Sequence, residues 1–117
     1  IMLASKTPIH TYNMGVAMSA GFLIYLAGST RYCTQRSRAL IHSGSNAVEG
    51  TYEQIQSNQK DYEKLVKMMR DFILERTTIP SQKYNRNRTK DWYLDAKEQI
   101  ELGVSHGILS DLDGLLG

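Results

Sequence analysis

Apolar positions gather first in Asn13–Gly28 (NMGVAMSAGFLIYLAG), where Gly15 and Gly21 bracket Ser19 and the run Phe22-Leu23-Ile24-Tyr25-Leu26-Ala27 leads to Gly28. That pattern predicts a strand, a tight turn and then a buried helix from Ser19 to Ala27, with Gly28 in the left-handed cap position. Upstream, Ile9, Thr11 and Tyr12 favour a strand over Pro8–Asn13. Ile1–Ser5 reads as the last turn of a helix, so the chain is expected to begin in the middle of a fold. Downstream, Arg31–Thr34 and Arg38–His42 read as strands separated by a turn at Gln35–Ser37, and Ser43–Asn46 is a loop by composition.

The longest element is a helix expected over Val48 to Arg76. Tyr52, Ile55, Tyr62, Val66, Met69 and Ile73 recur at three-and-four spacing, and Glu63 stands four residues before Lys67 in the favourable order. A seam this narrow on a helix this long either reaches beyond one small domain or lies across the domain's own sheet. Thr77–Pro80 breaks the helix. Ser81–Lys90 is polar and basic with room for one helical turn, and Trp92–Leu94 follows Asp91 as a strand. Asp95 and Glu98 have capping-box spacing for a helix over Ala96–Leu102, stopped by Gly103. Val104–Leu109 is a last strand, and Ser110–Gly117 is a polar tail.

Composition narrows the class. The chain has 117 residues, enough for a single domain, and is 41% hydrophobic and 22% charged. A net charge of +2 is too small to imply a nucleic-acid partner, and the basic segment Lys83–Lys90 lacks interleaved aromatics, so it reads as a solvated face. The apolar run Met14–Ala27 is too short to cross a bilayer. One cysteine, Cys33, excludes an internal disulfide and a paired-cysteine metal site, and fits a reducing, cytoplasmic setting. No cofactor or metal is expected.

Chemistry centres on Ser19. A hydroxyl at the start of a buried helix lies beside free N–H groups that can meet an oxyanion; the competing reading is a small residue needed for close helix packing. Hydrolysis by serine also needs a base in reach and an acid to orient it. Of the three histidines, His10 lies inside a strand and His106 beside Gly107, whereas His42 ends an apolar strand and opens a Ser/Gly loop. Among the acids, Asp91 stands just before a strand; Asp95 is explained as a cap, and Asp111 and Asp113 as tail charges.

Together these residues show a resemblance. Asn13-Met14-Gly15-Val16-Ala17-Met18-Ser19-Ala20-Gly21, Ala27-Gly28, Leu40-Ile41-His42, Lys90-Asp91-Trp92-Tyr93-Leu94-Asp95-Ala96 and Glu101-Leu102-Gly103 resemble, in order and spacing, the motifs of the ClpP family of Clp protease proteolytic subunits. The resemblance covers about Lys6 to Leu109. It implies a serine endopeptidase acting on unfolded polypeptides, with Ser19 as nucleophile, His42 as base and then acid, Asp91 as orienting carboxylate and the Ala20 N–H as one oxyanion donor. It also implies an α/β fold of the ClpP/crotonase type, built of repeated β-β-α units with a long handle helix, here as a single domain over 1–117 lacking the N-terminal portion of the fold. The implied partners are further copies in stacked heptameric rings, a Clp-type ATPase unfoldase and a peptide substrate, with neither nucleic acid nor membrane.

The family's second oxyanion donor comes from a G-G-x-V segment upstream of Ile1. Departures occur at Ser43–Ala47, which stands where the family has Q-P-x-G-G after the histidine, at His106, which replaces an aspartate, and at the basic Lys83–Thr89 segment. They point to a divergent, prophage-like member. Two other readings follow from the same features: a non-catalytic ClpP-like assembly subunit or fragment, and a crotonase-type acyl-CoA enzyme, against which the Ser-His-Asp order counts.

Overall fold

A computed structural model of the chain describes residues 1–18, 20–41, 50–88 and 90–109. The elements run β1 (His10–Asn13), β2 (Val16–Met18), α1 (Ala20–Leu26), β3 (Thr30–Thr34), β4 (Arg38–Ile41), α2 (Tyr52–Arg76), α3 (Ser81–Asn87), β5 (Trp92–Leu94), α4 (Ala96–Glu101) and β6 (Gly107–Leu109). The order β-β-α occurs twice in succession at the start, and the chain is an α/β protein. From β1 to β4 successive strands alternate between two sheets; β5 stays beside β4, and β6 returns to the first sheet. One three-stranded sheet has the order β1-β3-β6, all parallel, and the other has the order β2-β4-β5. In the second, β2 lies parallel to β4 and β5 antiparallel to it.

Helix α1 shows why the apolar run matters. Phe22, Tyr25 and Leu26 are buried at i, i+3 and i+4, while Gly21 and Ile24 face out. They pack with Ala17 of β2, Ala39 and Ile41 of β4, Leu94 of β5 and Ile73 of α2 in one core cluster. Ala39, Leu40 and Ile41 are all buried, as expected for a central strand covered on both faces.

Several expectations are corrected. Val16–Met18, read as part of a turn, is a strand; three residues are too few to reveal a period in the sequence, and the parallel partner β4 supplies the hydrogen bonds. Ile1–Ser5 forms only a turn, closed by the Ser5 N–H on the Met2 carbonyl at 3.3 Å. Gly28 is not among the described glycines with positive φ. A side chain there would run into Thr11, so close packing rather than a left-handed cap explains the glycine. Gly103, in contrast, does have φ 71° after α4.

Helix α2 begins at Tyr52, not Val48, because Thr51 and Gln54 form a capping box there; Val48 itself lies outside the described residues. The expected stripe is buried only toward the C-terminus. Ile73 is buried and Tyr62, Val66 and Met69 are half-buried, whereas every residue from Tyr52 to Asp61 is exposed. Glu63 and Lys67 do not pair: among the described residues the ion pairs are Arg70–Asp71 and Lys97–Glu101. The basic segment holds a full short helix, α3, anchored by buried Tyr84. The last strand is confined to Gly107–Leu109. Asp95 and Glu98 form the expected capping box at α4. The loop at Ser43–Asn46 and the tail from Ser110 lie outside the described residues.

Candidate active site

Strand register decides what can meet at the edge of the second sheet. Met18 is in register with Leu40, and Ile41 with Trp92. Because β2 and β4 are parallel and β5 is antiparallel, the C-terminal ends of β2 and β4 and the N-terminal end of β5 fall on one edge, neighbours about 5 Å apart. The chain passes from Met18 into Ser19, from Ile41 into His42, and from Asp91 into Trp92. Ser19 and His42 themselves lie outside the described residues. Asp91 is described and exposed, directly before β5. Ala20 is the first residue of α1, in the turn whose N–H groups have no intrahelical acceptor.

The other two histidines sit in structural surroundings. His10 is exposed and meets the Tyr32 ring edge-on, with centroids 6.4 Å apart. His106 accepts the Arg31 N–H at Nδ1 (2.9 Å), and its own backbone N–H donates to the Arg31 carbonyl (2.7 Å). Desolvation, followed by the positive charges of Arg31 and Arg76, holds its imidazole below the ordinary histidine range. A neutral ring with an occupied Nδ1 stabilises the β3–β6 pairing.

Behind the strands lies a buried polar network that the sequence reading did not single out. Asn13, 4% exposed, accepts the Gly15 N–H at Oδ1 (3.3 Å) and donates from Nδ2 to the Arg38 carbonyl (2.9 Å) and to Gln99 Oε1 (3.2 Å). Gln99 Nε2 donates to Ser37 Oγ and to the Leu94 carbonyl, both at 3.3 Å. Ser105 Oγ lies 3.2 Å from Gln99 Oε1 and also contacts the Tyr25 hydroxyl, which donates to the Tyr32 carbonyl at 2.8 Å. Burial pushes the Tyr25 phenol well above its ordinary range, so it stays protonated.

Arg31 is a second buried centre, 3% exposed. Its guanidinium donates to the carbonyls of Val104, Leu26, Gly28, Arg76 and Gly103. One signal for this centre was available: strict alternation in β3 puts Arg31 on the same inward face as Cys33.

These features define an α/β protein in which three strand ends and a helix start converge at one edge of a short mixed sheet. Residues 1–111 match the Clp protease family model, and the chain belongs to the Clp protease family. The chain is similar to the ATP-dependent Clp protease proteolytic subunit 2 of Treponema pallidum, with 29% identity over 106 residues, 89% of this chain and 53% of that protein. It is 32% identical over 101 residues to the subunit 2 of Treponema denticola, covering 85% of this chain and 50% of the relative. The ATP-dependent Clp protease proteolytic subunit of Deinococcus radiodurans is 29% identical over 101 residues, again covering 85% and 50%. The chain spans about half the length of the curated relatives it matches. Among the described residues no helix is long and apolar enough to cross a membrane, and no cluster of histidine, cysteine or carboxylates has the makings of a metal site.

Proposed function

We propose that this chain is a serine endopeptidase subunit of the ClpP type, using Ser19, His42 and Asp91. The observation that carries this reading is the register of β2, β4 and β5, which brings the residues flanking all three positions to one sheet edge. In the proposed reaction the Ser19 hydroxyl attacks the scissile carbonyl while His42 takes its proton, and Asp91 orients the imidazole and offsets its charge. The oxyanion meets the Ala20 N–H at the start of α1. His42 then protonates the departing amine, leaving an acyl-enzyme. Water hydrolyses the ester by the same steps, with His42 again as base.

The relatives are subunits of ATP-dependent Clp proteases, which supports a Clp-type ATPase and unfolded polypeptide as the proposed partners and the cytoplasm as the proposed setting. Assembly into a ring fits the exposure pattern. The first part of α2 stands free, and Ile24, Leu65, Met68 and Phe72 help line an open apolar groove of about 580 Å³ between α1 and α2. In this reading α2 is the handle of a ClpP/crotonase-type domain spanning 1–117, and it contacts other copies.

A fluorophosphonate probe tests the proposal. The chain should label, and Ser19→Ala should abolish labelling. An unlabelled chain in its assembled form, beside a labelled homologous control, would overturn the peptidase reading in favour of an assembly subunit.

A further inference from the structure

We propose that Gln99 is the positioning residue that sets the relative register of the three strands serving the active site; this rests on the peptidase reading above. Gln99 is 0% exposed on α4, away from the sheet edge, yet its one amide reaches all three approaches to that edge. Through Oε1 it holds Asn13, whose side chain binds the Gly15 N–H just before β2 and the Arg38 carbonyl at the start of β4. Through Nε2 it holds Ser37 Oγ, next to β4, and the carbonyl of Leu94, the last residue of β5. The carbonyls of Arg38 and Leu94 can only accept, which fixes the orientation of both amide side chains.

The lever is short. Gly15 precedes Ser19 by the same number of residues that Arg38 precedes His42, and the Arg38 N–H donates to the Gly15 carbonyl at 2.7 Å. The count of residues from each pinned end to its candidate residue is therefore matched. A slip of one residue in β2 against β4 would turn every side chain to the opposite face, and a displacement near 1 Å costs on the order of a hundredfold in rate. Ser105 Oγ donates to Oε1 at 3.2 Å and holds the amide from behind, and the Ser105 N–H donates to the Gln99 backbone carbonyl at 3.0 Å. A methionine of similar length would fill the space and keep the backbone bond while making none of the side-chain bonds.

The test compares the full chain with Gln99→Met. Labelling of Ser19 by fluorophosphonate should slow by about tenfold or more per folded molecule, with kcat reduced, KM nearly unchanged and the acid limb of the pH profile displaced. Amide hydrogen exchange at Met18 and Leu40 should accelerate by about tenfold. A variant that loses only thermal stability, with wild-type labelling, pH profile and exchange, overturns the proposal. If the wild-type chain does not label, the peptidase reading fails, and exchange at Met18 and Leu40 still decides the role of Gln99: unchanged protection overturns it. Should Gln99→Met not fold, Ser37→Ala removes the direct Nε2 contact beside β4, together with the Ser37 Oγ bond to the Thr34 carbonyl at 2.8 Å; it should slow labelling by about threefold and displace the acid limb, and wild-type behaviour would again overturn the proposal.

Discussion

Arg31 donates through Nη2 to the backbone carbonyl of Arg76 at 2.7 Å, and the two guanidinium groups share the carbonyls of Leu26 and Gly28. The ends of α1 and α2 and the turn after α4 are thereby tied by cations, the sign that the C-terminal helix dipole favours. Burial, then Arg76, lowers the Arg31 pKa, a measure of how far the group has been taken from water.

Arg31→Met should therefore destabilise the fold by about 3–5 kcal/mol, because it strips the donors from several buried carbonyls. Arg76→Ala should cost less, since Arg76 is half-buried and Arg31 still serves Leu26 and Gly28. Urea unfolding followed by circular dichroism measures both.

His106 predicts an acid-sensitive stability. Its folded pKa lies below the ordinary histidine value of about 6.5, so the folded state resists the proton that the unfolded chain takes up. The stabilisation is present above that unfolded value and is lost as pH falls through it toward the lower folded value. His106→Asn removes the titrating group. Between pH 7.5 and pH 5.5 its Tm should fall less than that of the wild type, which differential scanning calorimetry at the two pH values checks.

Gly103→Ala tests the turn that follows α4. At φ 71° an L side chain is strained, and a Cβ would stand 2.8 Å from the Thr78 backbone nitrogen. Thr78 donates its N–H to the Leu102 carbonyl at 2.9 Å, so the segment after α2 cannot move aside freely. A loss of about 1–3 kcal/mol is expected, measured by thermal unfolding.

Tyr52 and Ile55 are exposed on the first part of α2, outside the core cluster. Replacing both with glutamate should leave subunit stability within about 0.5 kcal/mol. It should also shift the proposed assembly to smaller species by light scattering; an unchanged mass would remove α2 from the proposed interface.

Local signals were legible wherever one turn of chain contains its own reason. The Asp95/Glu98 box, Gly103 and the apolar face of α1 each follow from backbone donors or helical spacing within a few residues. The start of α2 was misplaced because the apolar pattern continues into Val48, while the Thr51/Gln54 box sets the boundary. The candidate site was legible as residue types and order, without the sheet edge that unites their flanks.

By itself, then, the amino-acid order determined the bodies of α1, α2 and α4, where those helices stop within a residue or so, and which serine, histidine and aspartate are candidates for chemistry. The tertiary structure decided what those segments do to one another. Val16–Met18 becomes a strand only beside Arg38–Leu40, since three residues cannot hold an extended conformation without a partner ladder. Asn13, Arg31 and Gln99, polar by type, become interior because every buried side-chain nitrogen and oxygen among the described residues finds a partner, several of them distant in sequence, such as Gln99 for Asn13 and Val104 for Arg31. Pairing of that kind leaves no trace in local periodicity, because the partners are fixed only when the two sheets and their helices close around one core.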